Sequence, residues 1–275
     1  MFAKGGFVSL PVGLAASILK IPLIIHDSDS HPGLTNRILA KYAKYIAVGQ
    51  PVKFYSYPKD KLKYCGVPIS KEYFKPPTKS NSCQNLKIEK IKNTKIISII
   101  GGSLGAVRLN DSVMESLSII LKNKNLKILW VCGENSYDKI NSYLINKNYT
   151  KQVKLYSYTD KILHILNIAD IVVTRAGATS LAELSALKKP IIIVPNPLLT
   201  GGHQIKNAKM YKDKNAAIVL EESEIQENSK LLSDTILNLI NDSSQQKMLK
   251  ENLSSFSIKD STKKISKLIL ENIGK

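Results

Sequence analysis

Three glycine turns in this sequence carry side chains suited to holding phosphate and hydroxyl oxygens. The first is Thr174-Arg175-Ala176-Gly177-Ala178-Thr179-Ser180, placed after an apolar run at 171–173 and before Leu181, Leu184 and Leu187 at helical spacing. Strand, turn and helix in that order put the turn at the carboxyl end of the strand, where the first free N–H groups of the helix favour an anion. Glu183, one turn into that helix, can reach a ligand's hydroxyls or simply complement the helix dipole. The second turn, Gly101-Gly102-Ser103-Leu104-Gly105-Ala106, also links an apolar run (95–100) to a helical pattern. Its glycines permit close backbone approach to a phosphate and Ser103 adds a hydroxyl donor, although it is neither a Walker loop nor a full GxGxxG. The third, Thr200-Gly201-Gly202-His203-Gln204, follows the run 191–194, and a capping or solvent role fits it equally well.

His26-Asp27-Ser28-Asp29-Ser30-His31 places two His and two Asp within six residues. On an irregular loop such spacing carries little weight for a metal, and none is expected. There is no HExxH helix, and His164 reads as a packing residue on its own helix.

The elements that must position these residues alternate. After a turn at Gly5-Gly6 come a helix at 10–19, a strand at 22–26, a polar loop, a helix at 34–45 and short strands at 46–48 and 62–65. Residues 76–94 lose periodicity and gather Pro, Ser, Asn and Lys, which marks a linker. From residue 95 the pattern is strand (95–100), helix from 107, strand (126–131), helix (137–144), strand (153–156), helix (161–166), the unit around Arg175, helix (203–211), strand (216–220) and helix (224–240). This predicts an α/β protein with parallel sheets. The expected organisation is a partial domain at 1–78, a linker at 79–94, a larger domain at 95–258 and an amphipathic helix within 259–275 that can cross back to the first.

Net charge is +18, yet only three of the forty Lys and Arg residues are Arg. A diffuse lysine surface reflecting coding bias is the plain reading; anionic lipid or phosphorylated substrates are the functional one, and the absence of aromatic-basic interleaving argues against nucleic acid. Arg37, Arg108 and Arg175 each lie at or beside a glycine turn, which suggests sites needing a guanidinium fork, or capping and packing. Cys65, Cys83 and Cys132 show no CxxC spacing, so neither a disulfide framework nor a zinc site is indicated. No apolar run approaches the roughly 18 residues of a membrane span, and no signal peptide is evident, so a cytoplasmic protein is expected.

Taken together, KGGFVSLPVGLAA (4–16), HDSDSHPGLTNR (26–37), YCGVPI (64–69), IISIIGGSLGAVRLN (96–110), ADIVVTRAGATSLAEL (169–184) and HQIKNA (203–208) resemble one family over nearly the whole chain. It is the MurG family, the bacterial peripheral-membrane glycosyltransferases that add N-acetylglucosamine to undecaprenyl-pyrophosphoryl-MurNAc-peptide in peptidoglycan synthesis. The resemblance implies the GT-B architecture, two facing Rossmann-like domains with the first incomplete, and a nucleotide sugar held mainly by the second. It places Ser103 near the pyrophosphate, the Thr159 backbone at the uracil, Ala178, Thr179, Ser180, Leu181, Ala182 and Glu183 along the diphosphate and ribose, and Gln204 on the sugar; Arg175 and Gly177, at the head of that segment, are also expected to bind substrate. Glu183 would take the ribose hydroxyls. Implied partners are UDP-GlcNAc, an undecaprenyl-linked acceptor and the inner face of the cell membrane, with no cofactor and no nucleic acid.

Three departures accompany the resemblance. The family's HEQN loop reads His26-Asp27-Ser28-Asp29, so Asp29 replaces an asparagine that contacts the donor sugar. The arginine after the family's GNPV turn is Ser70. The amino-terminal glycine loop with the family's catalytic histidine has no counterpart, and roughly a hundred residues of a Rossmann half-domain are expected to precede Met1 or to form a separate subunit. Asp29 is then a candidate base, or a sugar hydrogen-bonding group. The expected activity is inverting transfer of GlcNAc from UDP-GlcNAc to the C4 hydroxyl of the muramyl lipid; a GT-B transferase for another lipid acceptor and a non-catalytic nucleotide-sugar-binding subunit are the alternatives.

Overall fold

Short runs of Ile, Val and Leu between glycine turns become parallel strands covered on both faces, which is why they read as continuous apolar runs rather than as alternation. The computed structural model describes residues 1–89, 93–102 and 106–273. In the first domain β1 (Phe2–Ala3) leads through α1 (Ser9–Ile18) to β2 (Ile24–Asp27), then through α2 (Leu34–Leu39) to β3 (Tyr45–Val48) and β4 (Leu62–Tyr64). The sheet order is β1-β2-β3-β4, all parallel, with Ile24 opposite both Phe2 and Tyr45. Ile25, Leu39, Ile46 and Val48 are fully buried at its centre.

The second domain runs α3 (Lys79–Asn85), β5 (Lys95–Ile100), α4 (Val107–Ile120), β6 (Leu126–Val131), α5 (Glu134–Asn146), β7 (Val153–Tyr156), α6 (Ile162–Ile168), β8 (Ile171–Thr174), α7 (Ala178–Leu187), β9 (Ile191–Ile193), α8 (His203–Asp213), β10 (Ile218–Val219), α9 (Glu222–Glu227), α10 (Ser229–Asn241) and α11 (Ser243–Leu253). Its strands are ordered β10-β9-β8-β5-β6-β7 and all pair in parallel. The chain therefore winds outward in both directions from β5, and the reversal between β5 and β8 opens a crevice at their carboxyl ends. Helix α4 covers one face with Leu109, Val113, Leu117 and Ile120, all fully buried, while Leu181 and Leu184 of α7 cover the other. Each such side chain contributes about 1.5–3 kcal/mol, so the two faces fix where both helices begin.

Helix α12 (Ser261–Leu270) crosses back onto the first domain, where Ile265 packs against Ala47 and Cys65. Gly66 makes this approach feasible: its φ is +84°, and a Cβ there would come within 2.8 Å of Ile258.

Several boundaries differ from the sequence expectation. The stretch expected to be a linker begins with α3, in which Cys83 and Leu86 at its end are buried. Distant side chains bond to it: Asn167 donates to Ser82 Oγ (2.9 Å) and to Pro77 O just ahead of the helix (2.7 Å), and Lys154 donates to Leu86 O (2.7 Å). The helix expected at 224–240 is two helices, because Asn228 adopts φ −123° and caps α10 by accepting from Lys230 N. Helix α11 was not expected; Asp242 caps it by accepting from Gln245 N at 2.8 Å.

Candidate functional site

The carboxyl ends of β5, β8 and β9 open onto one crevice. Beyond β5, Gly102 takes φ +81°; beyond β8, Gly177 is the extended residue that leads into α7; and beyond β9 the chain loops through Gly201 and Gly202, both at positive φ, into α8. The first compartment, about 330 Å³, is lined by Gly101, Gly102, Arg108, Thr174, Arg175, Gly177, Ser180, Asn196, Gln204 and Glu222. By helix geometry the first N–H groups of α4 and α7 are unpaired within their helices and face a compartment of this kind, an arrangement that favours negative charge. A second compartment of about 590 Å³, lined by Ile100, Gly102, Val131, Gly133, Ser157, Tyr158, Thr159 and Ile162, adjoins the first at Gly102. The Thr159 hydroxyl accepts from Lys161 N at 3.0 Å, which fixes the turn beside this compartment.

Gln204 is buried at the junction of the β8 and β9 turns. Its amide oxygen accepts from Asn196 N (2.9 Å) and Ala176 N (3.3 Å). Its amide NH2 has no partner among the described residues and lies at the crevice wall, ready to donate to a ligand oxygen.

Arg175 is 8% exposed and largely committed. It donates to Val194 O at 3.1 Å and to Glu222 Oε1 at 2.5 Å. Glu222 Oε2 also accepts from Arg108 at 3.3 Å, and the Arg108 side chain is 48% exposed at the crevice mouth. Glu222 was missed from sequence because it opens a helix behind a second glutamate, where capping explains an acidic residue; Glu221 does serve that cap.

The remaining expected residues separate. Leu181 is corrected: its side chain is 1% exposed in the core, its N–H donates to Gly177 O and its carbonyl accepts from Ser185, so nothing of it is left for a ligand. Ala178 is buried, Thr179 is exposed, and Ala182 lines a separate small cavity with Gly49 and Tyr211 between the domains. Glu183 lines neither compartment of the crevice; burial raises its pKa, and the nearby Tyr73 hydroxyl acts in the opposite sense. Ser103 lies outside the described residues.

The loop 26–31 divides its titratable groups among separate partners. His26 is fully buried, its Nε2 bonded to Gly66 O at 3.1 Å, and burial pulls its pKa down to about 4. Buried Asp27 accepts from Asn36 Nδ2 (2.7 Å) and Tyr57 OH (2.6 Å), and burial raises its pKa. Asp29 Oδ1 accepts from Asn207 Nδ2 at 2.8 Å. Asn207 also donates to Ala176 O (3.0 Å) and accepts from Ser30 N and Oγ, so this one buried amide ties the first domain's loop to the turn of β8. Its position was quoted within HQIKNA, yet an asparagine on a helix gives no signal of a partner on another domain. Among the described residues no three His, Cys, Asp or Glu side chains cluster as metal ligands.

The sequence pattern of the glycosyltransferase family 28 C-terminal domain matches residues 96–267, and that of the family 28 N-terminal domain matches residues 1–48. A relative from Flavobacterium psychrophilum, named UDP-N-acetylglucosamine--N-acetylmuramyl-(pentapeptide) pyrophosphoryl-undecaprenol N-acetylglucosamine transferase, is 33% identical over 96% of this chain and 70% of its own length. One of the same name from Bacillus cytotoxicus is 37% identical over 82% of this chain and 61% of its own length. The crystal structure of Acinetobacter baumannii MurG superposes with a TM-score of 0.74 at 24% identity, covering 98% of this chain and 74% of that one, which shows a shared fold.

Proposed function

The chain belongs to glycosyltransferase family 28, and from that premise we propose that it transfers N-acetylglucosamine from UDP-GlcNAc, with inversion, to the C4 hydroxyl of undecaprenyl-pyrophosphoryl-N-acetylmuramyl peptide. The observation that carries this reading is the two-compartment crevice meeting at Gly102. Its larger part, beside the Thr159 turn, takes the uracil and ribose; its smaller part, between the starts of α4 and α7, takes the diphosphate. The Gln204 NH2 then lies on the sugar side.

As the glycosidic bond breaks, negative charge builds on the departing UDP. The helix N-termini and the exposed guanidinium of Arg108 are fixed where that charge grows, so they stabilise the transition state more than the ground state. Gln204 donors orient the sugar oxygens. Asp29, with one oxygen bound by Asn207, is assigned a tethering role at the edge facing the acceptor. Because Glu183 lines neither compartment, ribose recognition by Glu183 requires its carboxylate to turn toward the crevice.

We also propose work at the cytoplasmic face of the cell membrane. No helix among the described residues is long and apolar enough to cross a membrane. Phe7, Val8, Ile18 and Leu19 of the first domain are exposed, with Lys4 and Lys20 adjacent in sequence, a composition suited to an anionic lipid surface.

The test is a transfer assay with labelled UDP-GlcNAc and the undecaprenyl-linked muramyl peptide. Formation of the disaccharide lipid is expected. Binding of UDP-GlcNAc accompanied by transfer only to a different lipid acceptor would overturn the acceptor assignment.

A further inference from the structure

A cluster of basic side chains spans the two domains beside the Gln204 end of the crevice. Lys206 Nζ donates to His31 Nδ1 at 2.9 Å, linking α8 of the second domain to the loop 26–33 of the first. The His31 ring lies over the loop entering α8, since a Cβ on Gly201 would come within 3.1 Å of its Cδ2. Arg37 and His203 are close enough for their charges, with that of Lys206, to act on His31; the one carboxylate acting in the opposite sense is Asp27, whose oxygens already accept from Asn36 and Tyr57. Arg37 has no ion-pair partner among the described residues.

We propose that Arg37, His31 and Lys206 form a site for the pyrophosphoryl group of the lipid-linked acceptor, distinct from the crevice that holds the donor diphosphate. This rests on the transfer reading above. The arrangement has the features such a site requires. His31 lies against Gly201 in the loop that leads into Gln204, and Asn207 ties Asp29 of the same first-domain loop to the β8 turn, so the cluster stands on the first-domain side of the Gln204 wall. In the acceptor the pyrophosphate is attached at C1 of the muramyl sugar and the attacking hydroxyl is at C4. The anion must therefore lie one sugar ring away from the bond being made, and not in the donor compartment.

The chemistry of the contact supports an anion rather than a structural pair. Two groups that both become cationic sit at hydrogen-bond distance, which is tolerated only while His31 is neutral. Burial, then the charges of Lys206, Arg37 and His203, favour that neutral form. With Nδ1 accepting from Lys206, the ring proton resides on Nε2, which is left as a donor. A dianion would accept from Nε2 of His31, from the remaining N–H groups of Lys206 and from Arg37. Because contributors come from both domains, occupancy would also hold loop and helix α8 in register for the transfer.

The experiment titrates the full chain, saturated with UDP so that the donor crevice is filled, with inorganic pyrophosphate in a calorimeter. The Arg37→Gln/Lys206→Gln double variant is measured in parallel. Pyrophosphate is expected to bind the UDP-saturated parent and to bind the variant at least tenfold more weakly, with UDP affinity changed less than twofold. In the transfer assay the acceptor KM should rise at least tenfold while the UDP-GlcNAc KM stays put. Absence of pyrophosphate binding to the UDP-saturated parent, or equal binding to both proteins, overturns the proposal. Failure of UDP to bind either protein would refute the donor reading instead, and the comparison of parent and variant for pyrophosphate would still decide the basic cluster.

Discussion

Glu222 Oε1 accepts from Arg175 at 2.5 Å, and the two side chains are 2% and 9% exposed. The carboxylate thus neutralises a guanidinium buried at the back of the crevice, and its second oxygen reaches the more exposed Arg108 at 3.3 Å. Removing the carboxylate leaves the largely buried Arg175 charged without an anionic partner. Glu222→Ala should therefore destabilise the chain by about 3–5 kcal/mol, read from denaturant unfolding. It should weaken UDP binding as well, because the wall that Arg175 forms loses its fixed geometry. A variant as stable as the parent would show that Val194 O alone satisfies the arginine.

Gln204 separates two jobs on one side chain. Its oxygen accepts from Asn196 and Ala176 N–H groups, while its NH2 faces the crevice. Gln204→Glu keeps the acceptor and removes the donors. The variant is expected to melt within a few degrees of the parent and to lose about 10²-fold in kcat with UDP-GlcNAc, the cost of a sugar no longer held in the geometry for attack. UDP binding, which needs no sugar contact, should change far less. An unchanged kcat would remove Gln204 from the transfer.

The alternation of apolar runs and helical patterns made the second sheet readable, because strands buried on both faces by helices on each side leave continuous Ile and Val runs such as 171–173 and 191–193. The glycine turns were equally legible, since positive φ at Gly102 and Gly201 restricts the residue type. Helix α3 was not, because Ser82 and Asn85 meet partners far along the chain, His164 and Lys161, and polar residues with distant partners look like a loop. The same blindness hid Asn207 and Glu222. Each takes its meaning from a contact with another element, and sequence periodicity reports only which face of an element is apolar.

His26 gives the fold a defined acid weakness. Its pKa is lowered from 6.5 to about 4 by burial, so the unfolded chain binds its proton more readily than the folded one. The stability it supplies is fully present above about pH 6.5 and is lost as pH falls toward about 4, amounting to about 2 kcal/mol by pH 5. Asp27, whose pKa is raised, acts in the opposite sense, and its contribution is shared by any variant at residue 26. His26→Gln is expected to be less stable than the parent at pH 7.5, through loss of the Gly66 contact, yet to lose about 2 kcal/mol less between pH 7.5 and pH 5 in denaturant melts. Parallel stability curves would show that His26 does not titrate in this window.

Asp29 and Asn207 can be tested without breaking the contact between them. Asp29→Asn retains a side-chain oxygen able to accept from Asn207 Nδ2, so the tether between the loop and the β8 turn survives. If Asp29 only holds that loop in place, thermal melting should shift by no more than a degree or two and transfer should fall by less than about tenfold. General-base catalysis by a positioned carboxylate contributes about 10²–10⁴-fold, and an amide cannot replace it. A loss in that range, with melting and UDP affinity unchanged, would move Asp29 from tether to proton acceptor. Asn207→Ala serves as the companion measurement: it removes the tether at both Asp29 and Ser30, and should lower stability and transfer together.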